Sequence, residues 1–448
     1  MQSEFDVVIL GSGVAGGVAA RKLRKAGLSV VLVEPGPFGG TCPLRGCEPK
    51  KVLFDALEPL VRCSNQSGQG LHGGPSLNWD ELRRFKDAFV QPVSEAVEED
   101  LLKRGIEVVK GRGRFIGPRT VEADGMELTG SFIVVGTGAG PRKLDFPGAE
   151  HLLTSTGFFD LASLPDRLAV IGGGFIAFEF ANFALRAGSS VDMLIRSDRC
   201  LKAFDSDLVA MLLKHLRYLG ARIHFQAPID EVRPHGEGFL VTAAQGRVEV
   251  SADLVLHGAG RVPNTDDLGL DRAGVRASEL GIDVDAFMRS VSNQHVYAAG
   301  DVGVSGPKLT PVALMEAEIL CEHILGNSPR GADYRAVPSV LFTHPVLGRT
   351  GALEEELRQE GIPYQRVLTD TSDWAAFQRI GEGTAGAKLL LDPDSGEILG
   401  AHFLGERAEE VVNLFGLAIE RRIPLQELRR SVWSYPSFIY DAVRHLHP

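Results

Sequence analysis

Cysteine is scarce in this chain, with five residues in 448, at positions 42, 47, 63, 200 and 321. That is too few for a secreted disulfide framework, and no second close pair completes a four-thiolate zinc site. Positive charge is also short: 47 Lys and Arg against 58 Asp and Glu leave a formal net charge of -11, and no basic cluster stands out. Nonspecific nucleic-acid binding, which depends on clustered cations facing phosphates, is therefore not expected. No apolar run reaches the roughly 18 to 20 residues of a membrane span. The opening "MQSEFDVVILGSG" has no basic segment or cleavage site of a leader and passes directly into a strand pattern, so the expected location is the cytoplasm. What remains is a composition of 44% hydrophobic and 23% charged residues, that of a globular chain long enough for about three domains.

Glycine is abundant, with 52 residues, and its placement carries the first functional signal. "FDVVILGSGVAGGVAARKLRKAGLSVVLVEPG" reads as a strand over 5–10, a turn with Gly11, Gly13 and Gly16, a helix, a strand over 29–33, and Glu34. Glycines allow a tight turn and close backbone approach, the helix N-terminus faces a pyrophosphate, and the carboxylate sits where ribose hydroxyls are accepted. The pattern returns at "RLAVIGGGFIAFEFANFALRAGSSVDMLIRSDR", with a strand over 168–171, Gly172 to Gly174, Ala177 in the third-glycine place and a strand over 190–195. Two such units imply two dinucleotides, most economically a flavin and a nicotinamide. The second unit ends in Arg196 and Ser197 rather than an acid, with Arg199 and Lys202 close behind. A 2′-phosphate would be attracted there, so NADPH is expected over NADH.

Between the units lies "GGTCPLRGCEPKK", with Cys42 and Cys47 five positions apart. A pair so spaced can be a metal clip, a static staple or a dithiol that passes electrons. Pro49 and the apolar periodicity that follows to about Val61 put the pair at or just before a helix N-terminus. There the dipole and Lys51 lower thiol pKa values and favour the nucleophilic thiolate, which supports the redox reading.

Residues 64–78 read as a loop and 79–104 as a charged amphipathic helix. A buried strand in "SFIVVGTGAGPRKL" ends at a glycine turn that includes Gly138, and "HVYAAGDV" is a further strand stopping at Gly300 and Asp301. From about 333 the texture changes to short strands, including 385–392 and 397–404, then a helix over 406–422. The expected architecture is α/β, with two Rossmann-like dinucleotide-binding domains and a C-terminal α+β dimerisation domain. Its expected boundaries are 1–147 and 269–332 for the FAD-binding domain, 148–268 for the NAD(P)H-binding domain and 333–448 for the interface domain.

These motifs, in this order, resemble the FAD-dependent pyridine nucleotide-disulfide oxidoreductases, the family of glutathione reductase, dihydrolipoamide dehydrogenase and mercuric reductase. The resemblance rests on the first glycine fingerprint with Glu34, on GGTCxxxGCxPxK, on the second fingerprint, on "GRVPNT" at 260–265 and on "AAGD" at 298–301. It implies FAD on the first unit, with Gly40, Thr41, Gly138, Gly260, Arg261, Gly300 and Asp301 around it and Asp301 on the flavin chain. It implies Lys51 and Glu179 as an ion pair beside the flavin's reactive nitrogen, and Phe175 where many members have a tyrosine gating the nicotinamide. Gly172 and Gly174 would hold the nicotinamide cofactor, with Arg196 and Lys202 on its phosphate. Cys47 falls on the flavin side and Cys42 on the substrate side of a redox disulfide, in a homodimer that needs no metal.

The resemblance breaks near the C-terminus. Reductases of small disulfides carry His-Pro and, four residues after the proline, Glu. Here Pro436 is preceded by Tyr435, and Tyr440 takes the glutamate's place. A tyrosine with pKa about 10 is ionised about one part in a thousand at pH 7, so it cannot match a histidine near 6.5 in proton transfer worth about 10² to 10⁴ in rate. His344 and His402 read as structural; His445 and His447 are possible substitutes at a solvated tail. The expected activity is NADPH-dependent reduction of a small-molecule or protein disulfide. A metal-ion or quinone reductase is the alternative, and a noncatalytic redox sensor the third. The C-terminal cysteine pair by which mercuric reductase delivers its ion is missing after Cys321.

Overall fold

The computed structural model describes residues 3–447. The described residues separate into two compact units, one of residues 3–50, 84–142 and 261–334, the other of residues 51–83, 143–260 and 335–447.

The first unit is built on a seven-stranded sheet. Its central strand, Glu4–Leu10, is fully apolar at its inner end and pairs in parallel with Val30–Val33 on one side and Met126–Val135 on the other. Glu107–Val109 extends the sheet beyond the second strand, and Val296–Ala298 joins the long strand, both in parallel. Strands buried on both faces need continuous apolar runs, and "VVIL", "VVLV" and "IVV" provide them. Parallel order puts the ends of four strands, at Leu10, Val33, Val135 and Ala298, on one edge, where ligands of open α/β sheets bind. The helix Val14–Lys25 covers one face, and Thr310–Ile324 packs beside it.

In the second unit a four-stranded parallel sheet centres on Arg167–Ile171, flanked by Ser190–Leu194 and Leu254–His257. A three-stranded antiparallel meander spans Ile229–Ala252. The C-terminal part is a five-stranded antiparallel sheet in which Ile398–Leu404 pairs with Leu347–Gly351 and Gly386–Leu391, backed by the helix Ala408–Glu420.

One expected element differs. The helix expected over 79–104 is two, Trp79–Val90 and Val93–Lys103, with Pro92 as the cap of the second. Pro92 has no N–H to donate, and its ring clashes with the carbonyl of the preceding turn, so the first helix stops before it. Among the described residues no helix is long and apolar enough to cross a membrane.

Candidate functional site

The two glycine turns repeat one backbone device. Gly11 has φ +102°, and a Cβ there would stand 2.5 Å from the carbonyl oxygen of Gly136, at the end of the neighbouring parallel strand. Gly172 has φ +130°, and its Cβ would stand 2.0 Å from the carbonyl oxygen of Gly258. Each glycine lets a turn pass under the next strand's exit, which opens the crevice where the strand order reverses. Gly136 and Gly258 were not singled out in the sequence; only the pairing of strands reveals them.

The helices that follow begin at Gly13 and Gly174, neither N-terminus has a capping side chain, and neither first turn contains an acid. Their leading N–H groups are thus available to a phosphate. Gly16 leaves no room for a side chain, since a Cβ would lie 2.0 Å from the Gly11 oxygen, and Gly40, at φ +74°, brings its backbone against Gly13. The Glu34 carboxylate accepts from the Ser12 N–H and hydroxyl, each at 2.8 Å, and from the Gly36 N–H at 3.0 Å. It ties the glycine turn to the second strand and keeps acceptor capacity. These features fit a dinucleotide at the first turn.

The same edge holds the other residues expected around the first dinucleotide. Gly138, at φ +67°, accepts the Asn264 N–H at 2.9 Å, and Arg261, half-buried, donates to the Ala139 carbonyl. Asp301 sits in the short 3-10 turn Gly300–Val302, which Gly300 opens at φ +75°. The Gly300 N–H donates to the carboxylate of buried Glu316 at 2.7 Å, and the same carboxylate accepts from Ser305 and from Tyr334 at 2.8 Å. Gly260, at φ +105°, immediately precedes the short strand Arg261–Pro263.

The cysteine pair lies at the start of a helix. Thr41–Arg45 is a short helix holding Cys42, Gly46 breaks it, and Cys47 opens the long helix Cys47–Asn65. Both are free thiols. The Cys42 thiol hydrogen-bonds the Cys47 sulfur, the Thr310 hydroxyl lies 3.3 Å from it, and the Lys50 charge is close. Together these overcome the cost of burial and bring the Cys47 pKa down to about 6. Cys42, sharing its proton with that sulfur, is pushed far above the ordinary thiol range. The cation felt by Cys47 is Lys50 rather than the expected Lys51. Lys51 instead pairs with Asp55 one turn along, its ammonium 4.4 Å from the Phe54 ring centre and 5.3 Å from that of Phe342. Glu179, buried in the helix Phe175–Arg186, accepts the Phe342 N–H at 2.9 Å, so Lys51 and Glu179 meet on one residue.

At the second turn Phe175 stands 52% exposed at the helix start. Arg196 and Lys202 are exposed and have no ion-pair partner among the described residues, whereas Arg199 is held by Glu355. In the C-terminal part Tyr435 is 70% exposed, and its ring lies 4.8 Å from that of Tyr440, edge to face. His445 is 3.6 Å from Asp441, and His447 contacts Arg429. His344 and His402 are both buried, and burial lowers each to about 4. His344 stacks on Phe54 at 4.2 Å.

The pyridine nucleotide-disulphide oxidoreductase model matches residues 5–317, and the dimerisation domain of the same family matches residues 337–444. The chain belongs to this family, and it is a flavoprotein disulfide reductase by class. Among its relatives are a mercuric reductase of Staphylococcus aureus, 31% identical over 96% of this chain and 80% of that protein, and a chloroplastic/mitochondrial glutathione reductase of Pisum sativum, 29% identical over 97% and 81%. Among solved structures, the Cu(II) complex of the HOCl-induced flavoprotein disulfide reductase RclA from Escherichia coli superposes with a TM-score of 0.88 at 26% identity, covering 98% of this chain and 99% of that one.

Proposed function

We propose that this chain is a homodimeric reductase that uses NADPH and FAD to reduce the Cys42–Cys47 disulfide, which in turn reduces a disulfide acceptor. The observation that carries the proposal is the setting of Cys47, first in its helix and hydrogen-bonded by Cys42 and Thr310, which brings its pKa to about 6. A sulfur kept anionic at neutral pH is the electron-rich end that a redox dithiol needs.

FAD, when bound, carries two electrons between the nicotinamide and the dithiol. The residues that would hold it are Gly11, Gly13, Gly16, Glu34, Gly40, Thr41, Gly138, Gly260, Arg261, Gly300 and Asp301. Gly172, Gly174 and Phe175 would receive the nicotinamide cofactor, with Arg196 and Lys202 as unpaired cations for a 2′-phosphate. Lys51 and Glu179 would tune the reactive end of the flavin. Outward transfer is thiol-disulfide exchange. Cys42 attacks one acceptor sulfur, the other leaves as a thiolate, and Cys47 then attacks Cys42 to release the second thiolate and close the internal disulfide. The two electrons lost come from oxidation of NADPH.

The weak point of that cycle is the proton. Cys42 holds its proton against Cys47, and the leaving thiolate needs one, but Tyr435 and Tyr440 stand where a His-Glu dyad serves other members. This favours a second reading, reduction of a soft metal ion. Such an ion binds thiolate directly and sends the displaced proton to solvent, and both the mercuric reductase relative and the Cu(II) complex point that way. NADPH consumption against oxidised thiols, protein disulfides, Cu(II), Hg(II) and quinones separates the readings. Turnover that falls at least a hundredfold in Cys42→Ser and is greatest with disulfides supports the first. Turnover greatest with Cu(II) or Hg(II) supports the second, and turnover indifferent to Cys42→Ser contradicts both.

A further inference from the structure

Three consecutive glutamates open the helix Glu354–Glu360, and each has a different partner. Glu354 binds Lys388, which is wholly buried and also binds Asp205 and Asp207, each at 2.7 Å. Glu356 accepts the N–H of Leu353 at 2.7 Å and so caps its own helix. Glu355 reaches out to Arg199, whose terminal nitrogen lies 2.8 Å from both carboxylate oxygens.

Arg199 is the middle one of three cations, Arg196, Arg199 and Lys202, on the loop that leaves the second nucleotide strand. That loop is fixed at several points. The Ser197 hydroxyl donates to the Arg199 carbonyl at 2.6 Å, the Gln226 N–H to the Ser197 carbonyl at 3.1 Å, and the Leu201 N–H to the Gly173 carbonyl at 2.8 Å. Asp205, which ends the loop, caps the next helix and takes Lys388. Loop and glutamate helix are thus anchored to the same buried lysine, and the Arg199–Glu355 pair spans two backbones held at both ends.

We infer that Glu355 is a specificity-determining residue: by neutralising Arg199 it sets the charge offered to the 2′-phosphate of the nicotinamide cofactor at two cations rather than three. The inference rests on the assignment of this loop to the 2′-phosphate. The physical reason is competition. A guanidinium with both oxygens of a carboxylate on one nitrogen has part of its charge compensated, and the negative charge of Glu355 is itself repelled by a phosphate nearby. Because the pair is partly exposed, the effect is modest and screened by salt. Glu355 touches no nucleotide in this scheme; it acts through Arg199.

The test is binding of 2′,5′-ADP and of 5′-AMP to the FAD-loaded protein, by calorimetry at low and high salt. In Glu355→Gln, 2′,5′-ADP is expected to bind about threefold tighter at low salt, 5′-AMP is expected to be unchanged, and the gain is expected to shrink at high salt. In Arg199→Ala, adding Glu355→Gln is expected to produce a smaller gain than in the wild-type background, since only the direct repulsion between Glu355 and the phosphate is then relieved. If wild type prefers 2′,5′-ADP, and Arg196→Ala weakens it, while Glu355→Gln leaves it the same or weaker, the role of Glu355 is wrong and the loop assignment stands. If wild type binds both nucleotides equally, both fall.

Discussion

The Thr310 hydroxyl lies 3.3 Å from the Cys47 sulfur although 263 positions separate the two residues. Thr310 opens the helix Thr310–Ile324, and Cys47 opens Cys47–Asn65, so two helix starts meet at one sulfur. Further along the first of these helices, Glu316 holds the turn that bears Asp301.

That contact predicts the pH dependence of thiol reactivity. Cys47 is a thiolate above about pH 6 and loses its charge below it, so alkylation of the reduced protein by iodoacetamide should rise through a midpoint near 6. A hydrogen bond to a charged group contributes about 1.5 to 3 kcal/mol, and one pH unit corresponds to about 1.4 kcal/mol. Thr310→Val should move the midpoint up by about one unit. A midpoint unmoved in the variant would mean that the hydroxyl does not stabilise the anion.

The adjacency of Tyr435 and Tyr440 predicts a gain of function. Their rings touch at 4.8 Å, so a histidine and a glutamate at the two positions would be close enough to pair. Tyr435→His with Tyr440→Glu should raise the rate of small-disulfide reduction by on the order of tenfold or more and introduce a pH limb near 6 to 7. Steady-state rates against pH check this. No gain would show that the tyrosines do not occupy a proton-transfer position.

Lys388 predicts a stability cost. Its ammonium is surrounded by Asp205, Asp207 and Glu354, whose oxygens lie within 4.8 Å of one another. Burial opposes its charge, and the three carboxylates outweigh that and raise its pKa. Lys388→Met leaves buried Asp205 without its cation, while Asp207 keeps Arg366 and Glu354 keeps Arg358 and Arg366; breaking a buried pair in this way costs about 3 to 5 kcal/mol. The thermal transition should fall by on the order of 10 °C at pH 7 and recover partly at low pH, where the carboxylates protonate. An unchanged transition would contradict the electrostatic account.

Much of the site was legible because its chemistry is local. A turn under a neighbouring strand requires glycine, and the strand ends at Leu10 and Ile171 are followed immediately by Gly11 and Gly172, so the crevice could be read from spacing. The Cys42–Cys47 pair was equally plain, with Pro49 marking the helix start. What escaped is whatever depends on residues far apart in the chain. Thr310 carried only a weak local signal, a threonine before a proline at a helix start. Lys50 and Lys51 are neighbours whose different partners follow from helix rotation, which spacing alone does not show. Glu355 and Lys388 carry no signal in the sequence, and only the packing of the C-terminal part gives them partners. Pro92 was a readable break that the amphipathic pattern overrode.

The most direct test of the central claim, that Cys42 and Cys47 form the redox couple, is a count of thiols. The flavin-loaded protein would be reduced anaerobically with one equivalent of NADPH, quenched in denaturant with an alkylating agent, and mapped by mass spectrometry. The account predicts that all five cysteines are alkylated after reduction, that two fewer are alkylated before it, and that the two gained are Cys42 and Cys47. A long-wavelength thiolate-to-flavin absorption should accompany the gain and vanish in Cys47→Ser. An equal thiol count before and after reduction, with the flavin bleached, would contradict it.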